Sequence, residues 1–289
     1  MRQFSKKEEL KTMNKTKILF ITTEVMPYLP EDRMSSIGRR LPQNMQDAGH
    51  EIRTFMPRFG LINERRNQLH EVIRLSGMNL IINETDHQLI IKVASIQQAR
   101  MQVYFIDNDE FFTSREKYGD KDGEYGDNAE RCVFFARGVI ETIRKLRWKP
   151  DVVYCQGWFS AIAPVYIKKT FAEDPCFRGV KVIFSMHDNG FRGLMLGSFY
   201  HTVKREGVLK ADLIEVKDKP VDYTALCKLA VKFSDGLIIA DQTPEAEEVR
   251  RYAESRGVKV LEAIDPELDN QKYDAFFELF NPRPKEEEE

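Results

Sequence analysis

Residues 118–169 read YGDKDGEYGDNAERCVFFARGVIETIRKLRWKPDVVYCQGWFSAIAPVYIKK. The segment opens as a turn: Gly119, Gly123 and Gly126 alternate with Asp120, Asp122 and Asp127, residues that favour tight backbone reversals. A long helix follows. Asp127 is its expected N-cap, with Glu130 three residues on completing a capping-box arrangement. Val133, Phe134, Ala136, Val139, Ile140, Ile143 and Leu146 recur at helical spacing and form a broad apolar face. Lys145, Arg147 and Lys149 suit the carbonyl end, and Pro150 stops the helix. A short apolar strand over 151–155, a turn at Gln156-Gly157 and a second helix from about Trp158 complete a helix–strand–helix step. In parallel sheets such a step presents the turn after the strand to ligands.

Working outward, residues 17–25 (KILFITTEV) form an apolar, β-branched run expected to be a fully buried strand. A helix capped by Ser35 or Ser36 runs to about Ala48 and closes at Gly49, and a parallel strand follows over 51–56. Residues 64–75 carry helix signals. The runs 78–83, 88–95 and 101–107 read as strands with one polar face, an antiparallel addition to the parallel sheet. A further parallel strand over 178–186 leads into His187-Asp188-Asn189-Gly190. Beyond it come Phe199-Tyr200-His201 as a packing cluster or lid, a helix over 223–233, a strand over 236–240, a helix over 244–256 and a strand over 258–265. The expected fold is α/β: a Rossmann-like, mainly parallel sheet with helices on both faces. Residues 1–16 read as a flexible lead, 17–282 as the domain, with a short aromatic helix over 273–280 packing back on it, and 283–289 as an acidic, disordered tail.

The chain has 289 residues, 42% of them hydrophobic, and a net charge of −2 spread over mixed acids and bases. Such a surface gives no case for nucleic acid or for an anionic membrane. No apolar run has the length of a membrane span, and no signal-peptide core precedes the first strand, so a cytoplasmic protein is expected. Cys132, Cys155, Cys176 and Cys227 lack ligand spacing and read as reduced thiols, not a metal site or a disulfide set. Neither GxGxxG nor GxxxxGK[ST] follows the first strand, which argues against the common mononucleotide and dinucleotide loops.

The ordered pattern YGD…DG…Y.DNAER..FF.R…E…..W.PDVV…W…APVY.K resembles the N-terminal catalytic domain of bacterial glycogen synthases and plant starch synthases. Further correspondences are Glu24, Val25, Pro27, Leu41-Pro42, Gly49-His50, Pro57, the run from Tyr104 to Arg115, and Gly193. The resemblance covers roughly residues 17–265. It implies one half of a GT-B-type glycosyltransferase that moves glucose from ADP-glucose to the non-reducing end of an α-1,4-glucan, with no cofactor and no metal. It further implies that Glu24, Tyr118, Gln156, Trp158, Asp188 and Asn189 line the sugar region, that His187 is the catalytic candidate, and that Arg33 faces phosphate. On their own residues, Tyr118 is a turn tyrosine and Trp158 a packing residue at a helix start.

The chain departs from that pattern where the diphosphate chemistry is concentrated. The family's Lys-Thr-Gly-Gly, whose backbone approaches phosphate at a helix end, corresponds here to Pro30-Glu31-Asp32-Arg33. A cation is lost and two like charges enter. The family's His-x-His-Asp-Trp-His becomes Tyr154-Cys155-Gln156-Gly157-Trp158-Phe159, in which Gln156 retains hydrogen-bonding capacity and Gly157 does not. The second Rossmann-like domain of the family has no counterpart in the sequence. Two readings follow: an ADP-glucose-dependent glucosyltransferase with weak or no turnover as an isolated chain, or an inactive glucan-binding or docking module. A second copy or a partner chain is the expected cover for the open domain face.

Overall fold

A computed structural model of the chain describes residues 15–195, 199–262 and 266–280. The first sixteen residues therefore lie almost wholly outside the described part, as does the acidic tail. The architecture grows from β1 (Lys17–Ile21), which pairs in parallel with β2 (Glu51–Pro57) on one side and β9 (Val152–Gln156) on the other. Outward from β9 come β10 (Lys181–Met186), β11 (Gly236–Ile239) and β12 (Lys259–Glu262), all parallel; outward from β2 comes β6 (Met101–Asp107), also parallel. Beyond β6 the sheet turns antiparallel through β5 (Thr85–Ile96), which carries β3 (His70–Glu71) and β4 (Met78–Ile82). The antiparallel addition expected from the alternating runs is present in β4 and β5, where the alternation shows in the burial of β5, whereas the run 101–107, expected to belong to it, joins β2 in parallel as β6.

The period-2 geometry of the central strands builds a core on each face. Ile18 and Phe20 of β1, Tyr154 of β9, Ile183 of β10 and Ile238 of β11 point to one side. There they meet Ile37, Leu41 and Met45 of α1 (Arg33–Asp47) and Tyr273, Phe276 and Phe277 of α7 (Pro266–Glu278). Leu19, Ile21, Val153, Cys155, Val182, Phe184, Leu237 and Ile239 point to the other side. That side is covered by α2 (Asn128–Leu146), α3 (Ile162–Lys168) and α5 (Tyr223–Lys232). Helices thus cover both faces, as expected. Each aromatic ring that α7 buries contributes about 2 kcal/mol by apolar area. The remaining strands and α-helices among the described residues are β7 (Gly119–Asp120) and β8 (Gly123–Glu124), which form a hairpin, α4 (Phe199–Val203) and α6 (Pro244–Ser255).

Local expectations failed where a tertiary partner outcompeted a local one. Residues 64–75 form turns and the edge strand β3, not a helix; Val72 N–H donates to Ile91 O at 2.8 Å, and a short isolated helix is too weak to compete with such cross-strand bonds. Asp127 precedes α2 without capping it through its side chain, which instead takes Arg115 at 3.4 Å, while Glu130 accepts from Asn83 at 2.9 Å. Asp32, not Ser35 or Ser36, caps α1: its carboxylate accepts from Ser35 N–H at 2.7 Å, and the Ser35 hydroxyl accepts from Asp32 N–H at 2.9 Å. Trp158 opens a single 3-10 turn over residues 158–160 before α3 begins. The C-terminal helix starts at Pro266, seven residues before the expected Tyr273.

Candidate functional site

The chain leaves β1 for β2 on one side and returns to β9 on the other. The carboxyl ends of β1 and β9 therefore flank the crevice where open parallel sheets bind ligands. Thr22, Thr23 and Glu24 follow β1; Gln156 and Gly157 end β9; His187, Asp188 and Asn189 follow β10. The first turn of α1 reaches into the same place, and it comes close because residue 38 is glycine. A Cβ there would sit 2.0 Å from the Glu24 carbonyl oxygen.

Met34, in that first turn, ties the strand ends together. Gln156 is fully buried, and its Nε2 donates to Met34 O at 3.0 Å while Thr22 Oγ1 donates to its Oε1. Asn189 Nδ2 lies 2.8 Å from Met34 Sδ, and Gly157 (φ +74°) lets the chain turn beneath the Met34 methyl. Two polar clusters hang from this hub.

The first is centred on Glu24, whose side chain is 2% exposed. Lys117 Nζ donates to its Oε2 at 2.7 Å and Tyr118 donates to its Oε1 at 3.1 Å, with Thr23 Oγ1 2.8 Å from the same phenol. Burial raises the Glu24 pKa, and Lys117 works against that rise. Burial, then the Glu24 charge, holds the Tyr118 hydroxyl well above the usual range, so it stays a neutral donor. Lys117 Nζ is also 3.7 Å from Asp32 Oδ2. Burial alone would raise Asp32, but the Ser35 amide and Lys117 outweigh it and its pKa is lowered.

What carries Lys117 and Tyr118 to Glu24 is the Asp-Asn-Ala-Glu-Arg run at the start of α2. Asn128 Nδ2 donates to Tyr118 O at 2.8 Å; the fully buried Arg131 donates to Lys117 O and Phe111 O, each at 2.8 Å, and to Asn128 Oδ1 at 2.7 Å. Its guanidinium sits against the rings of Phe59, Phe112, Tyr125 and Phe159. The motif is a clamp on the backbone of the site loop.

The second cluster surrounds His187, which is 3% exposed. Its Nε2 is 3.0 Å from Ser185 Oγ; its Nδ1 is buried without a hydrogen-bond partner, 4.0 Å from Asp241 Oδ2. Burial, with Arg33 adding to it and Asp241 opposing, pushes the His187 pKa down to about 4. The ring is neutral near pH 7. Asp241, in the loop after β11, accepts from Asp188 N–H at 2.9 Å and pairs with Arg33 Nε at 2.8 Å. Arg33 also donates to Ala240 O at 2.6 Å, and Tyr223 donates to His187 O. Asn189 Oδ1 is buried and unpartnered.

Of the residues expected to line the site, Glu24 and Tyr118 touch, and His187, Asp188, Asn189 and Gln156 share the strand-end crevice. Trp158 is fully buried: its ring packs on Tyr118, Phe159 and Phe191, and its Nε1 donates to Asn189 O at 3.0 Å. It offers no open face to a sugar and acts on the crevice through Asn189. Arg33 points to the β11 loop. Lys117, Arg131, Asp241 and Tyr223 escaped the residue-by-residue reading; only the Asp-Asn-Ala-Glu-Arg run signalled one of them. Among the described residues no group of His, Cys, Asp and Glu could hold a metal ion, and no helix is long and apolar enough to cross a membrane.

The family model described as the starch synthase catalytic domain matches residues 17–262. A glycogen synthase of Chlorobium chlorochromatii (strain CaD3) is 34% identical over 181 residues, 61% of this chain and 36% of that protein. A glycogen synthase of Chlorobaculum parvum is 27% identical over 221 residues, 76% of this chain and 44% of that one. The chain thus spans less than half the length of these relatives. Among solved structures, the catalytic domain of Starch Synthase IV from Arabidopsis thaliana, bound to ADP and acarbose, superposes with a TM-score of 0.70 at 16% identity, covering 87% of this chain and 52% of that one. That likeness concerns the fold; the family follows from the model matched from the first strand to the last, and the chain belongs to the starch synthase catalytic-domain family.

Proposed function

We propose that this domain recognises glucosyl hydroxyls, those of a donor sugar or of an α-glucan end, in the crevice between Glu24–Tyr118 and His187–Asn189. In this chain the α1 N-terminus is closed to the diphosphate of ADP-glucose. The observation that carries the proposal is Asp32. Its carboxylate occupies the α1 N-terminus and accepts from Ser35 N–H, where an anion would otherwise be held by the helix end. Around it the crevice sets Glu24, Asp32, Asp188 and Asp241 against Lys117 and Arg33. Two unit charges of like sign about 4 Å apart repel by roughly 4 kcal/mol at an effective dielectric of 20, less at an exposed rim. Neutral polyols meet no such barrier, and neutral His187, the Tyr118 phenol and Asn189 are suited to hydroxyls.

A second reading, ADP-glucose-dependent glucosyl transfer to an α-glucan, is favoured by one feature. Lys117 brings a cation to the α1 N-terminus, 3.7 Å from Asp32, whereas Arg33 of the loop itself is turned to Asp241 and Ala240 O. Calorimetric titration with ADP, ADP-glucose and maltohexaose, on the parent and on Asp32→Gly, separates the two. Glycine is a tolerable N-cap that costs only a few tenths of a kcal/mol, so the change isolates the charge. We expect maltohexaose binding that His187→Ala abolishes, and weak ADP binding that Asp32→Gly strengthens about tenfold, 1.4 kcal/mol. Micromolar ADP binding by the parent, unchanged in Asp32→Gly, would refute the closed helix end and favour the transferase.

A further inference from the structure

Away from the crevice, the β4–β5 turn and the end of α4 enclose a groove of about 450 Å³ lined by Ile81, Ile82, Asn83, Glu84, Thr202 and a basic set, His201, Lys204 and Arg205. Behind it, Arg137 of α2 is 8% exposed, and its Nη1 donates to Ile81 O at 2.6 Å. Arg205 Nη1 reaches the same carbonyl oxygen at 3.4 Å. Two guanidinium groups thus converge on one neutral acceptor. A guanidinium carries five N–H donors, and a buried one is ordinarily matched to a carboxylate. Among the described residues neither arginine, nor Lys204, forms an ion pair. Glu84, the carboxylate of the lining, forms none either, and nearby Glu130 is engaged by Asn83. Glu141, the acid that bears on Arg137, pairs with Arg144. Burial, with Arg205 adding to it, lowers the Arg137 pKa to about 10.

Like charges gathered without an ion-pair partner, with Glu84 of the lining left exposed and unengaged, are unfavourable in the empty molecule and favourable once an anion arrives. The groove's volume falls in the range of small-ligand sites and exceeds what a bare oxyanion fills. We infer that the groove between the β4–β5 turn and α4 binds a small phosphate monoester, its phosphate on Arg205 and Lys204 with Arg137 behind, and its organic part against Ile81, Ile82 and Asn83.

The test is calorimetric titration of the full chain with inorganic phosphate, glucose 1-phosphate and AMP, in low and high salt. The expected result is binding that weakens with salt, with either ester tighter than inorganic phosphate. Which ester binds tighter identifies the organic part. Arg205→Ala should weaken binding about tenfold, the loss of one charge-assisted contact, and Arg205→Glu more than that. Both changes sit on a half-exposed side chain, so folding is retained, and unchanged thermal unfolding checks it. Because the crevice of the parent is closed to phosphate by Asp32, the titrations use the parent chain, and AMP should bind it no more weakly in the presence of saturating maltohexaose. No binding of any probe at about 5 mM would overturn the inference, as would binding indifferent to Arg205→Glu or displaced by maltohexaose.

Discussion

Replacing Arg131 by methionine should loosen the site loop and destabilise the domain together. Arg131 donates to the backbone carbonyls of Lys117 and Phe111, both at 2.8 Å, and to Asn128 Oδ1 at 2.7 Å, from a position with no solvent exposure. Methionine preserves the stem and packs well against the surrounding rings, so the loss falls mainly on the acceptors. A buried acceptor left unmatched costs about 1–3 kcal/mol, and two carbonyls are at stake. The change also relieves the desolvation of the guanidinium, which is large enough to lower its pKa to about 10. Setting that relief against the orphaned carbonyls leaves a net loss of about 3 kcal/mol. At roughly 2–4 °C per kcal/mol for domains approaching this size, the midpoint should fall by roughly 6–12 °C. Urea and thermal denaturation measure that loss. Limited trypsin digestion gives a second readout, because Lys117 and Lys121 lie in the segment the clamp holds and should be cut faster at concentrations that leave the core intact. A variant within about 0.5 kcal/mol of the parent, cut at the same rate, would show that Arg131 does not hold the loop.

Two further outcomes follow from the same geometry. Gly38→Ala puts a Cβ 2.0 Å from the backbone oxygen of Glu24, which has no flexible end to yield; the domain should lose at least about 3 kcal/mol in urea denaturation, and a neutral result would contradict the close approach of α1 to the crevice. For His187, the folded pKa of about 4 lies below the ordinary value of 6.5, so the unfolded chain binds the extra proton as pH falls. The contribution of this group is full above pH 6.5 and is lost progressively down to about pH 4, stability rising with pH across that window. Denaturation midpoints from pH 4 to 7 in the parent and in His187→Gln should differ in slope by up to one proton, and parallel slopes would place the titration elsewhere.

The sequence by itself determined the elements that depend on period and on strong local punctuation. Alternating or continuous apolar runs can be buried in few ways. Hence β1, β9, β10 and the long helix α2 were legible, as was the antiparallel addition around β5, because a period-2 pattern admits one face inward. The family resemblance was legible in the run from Tyr118 to Lys169, and with it the region of the candidate site. Partner choice was not legible, because it is settled among residues far apart in the chain. Asp32 took the helix cap that Ser35 and Ser36 were expected to supply. Asp127 gave up its expected cap for Arg115, and residues 64–75 exchanged local helix bonds for pairing with β5. Nor could spacing reveal that Lys117 supplies a cation beside Glu24 and Asp32, or that Asp241 anchors Arg33 and Asp188. Those contacts join separate strand-end loops, which only the packed sheet brings within a few ångströms.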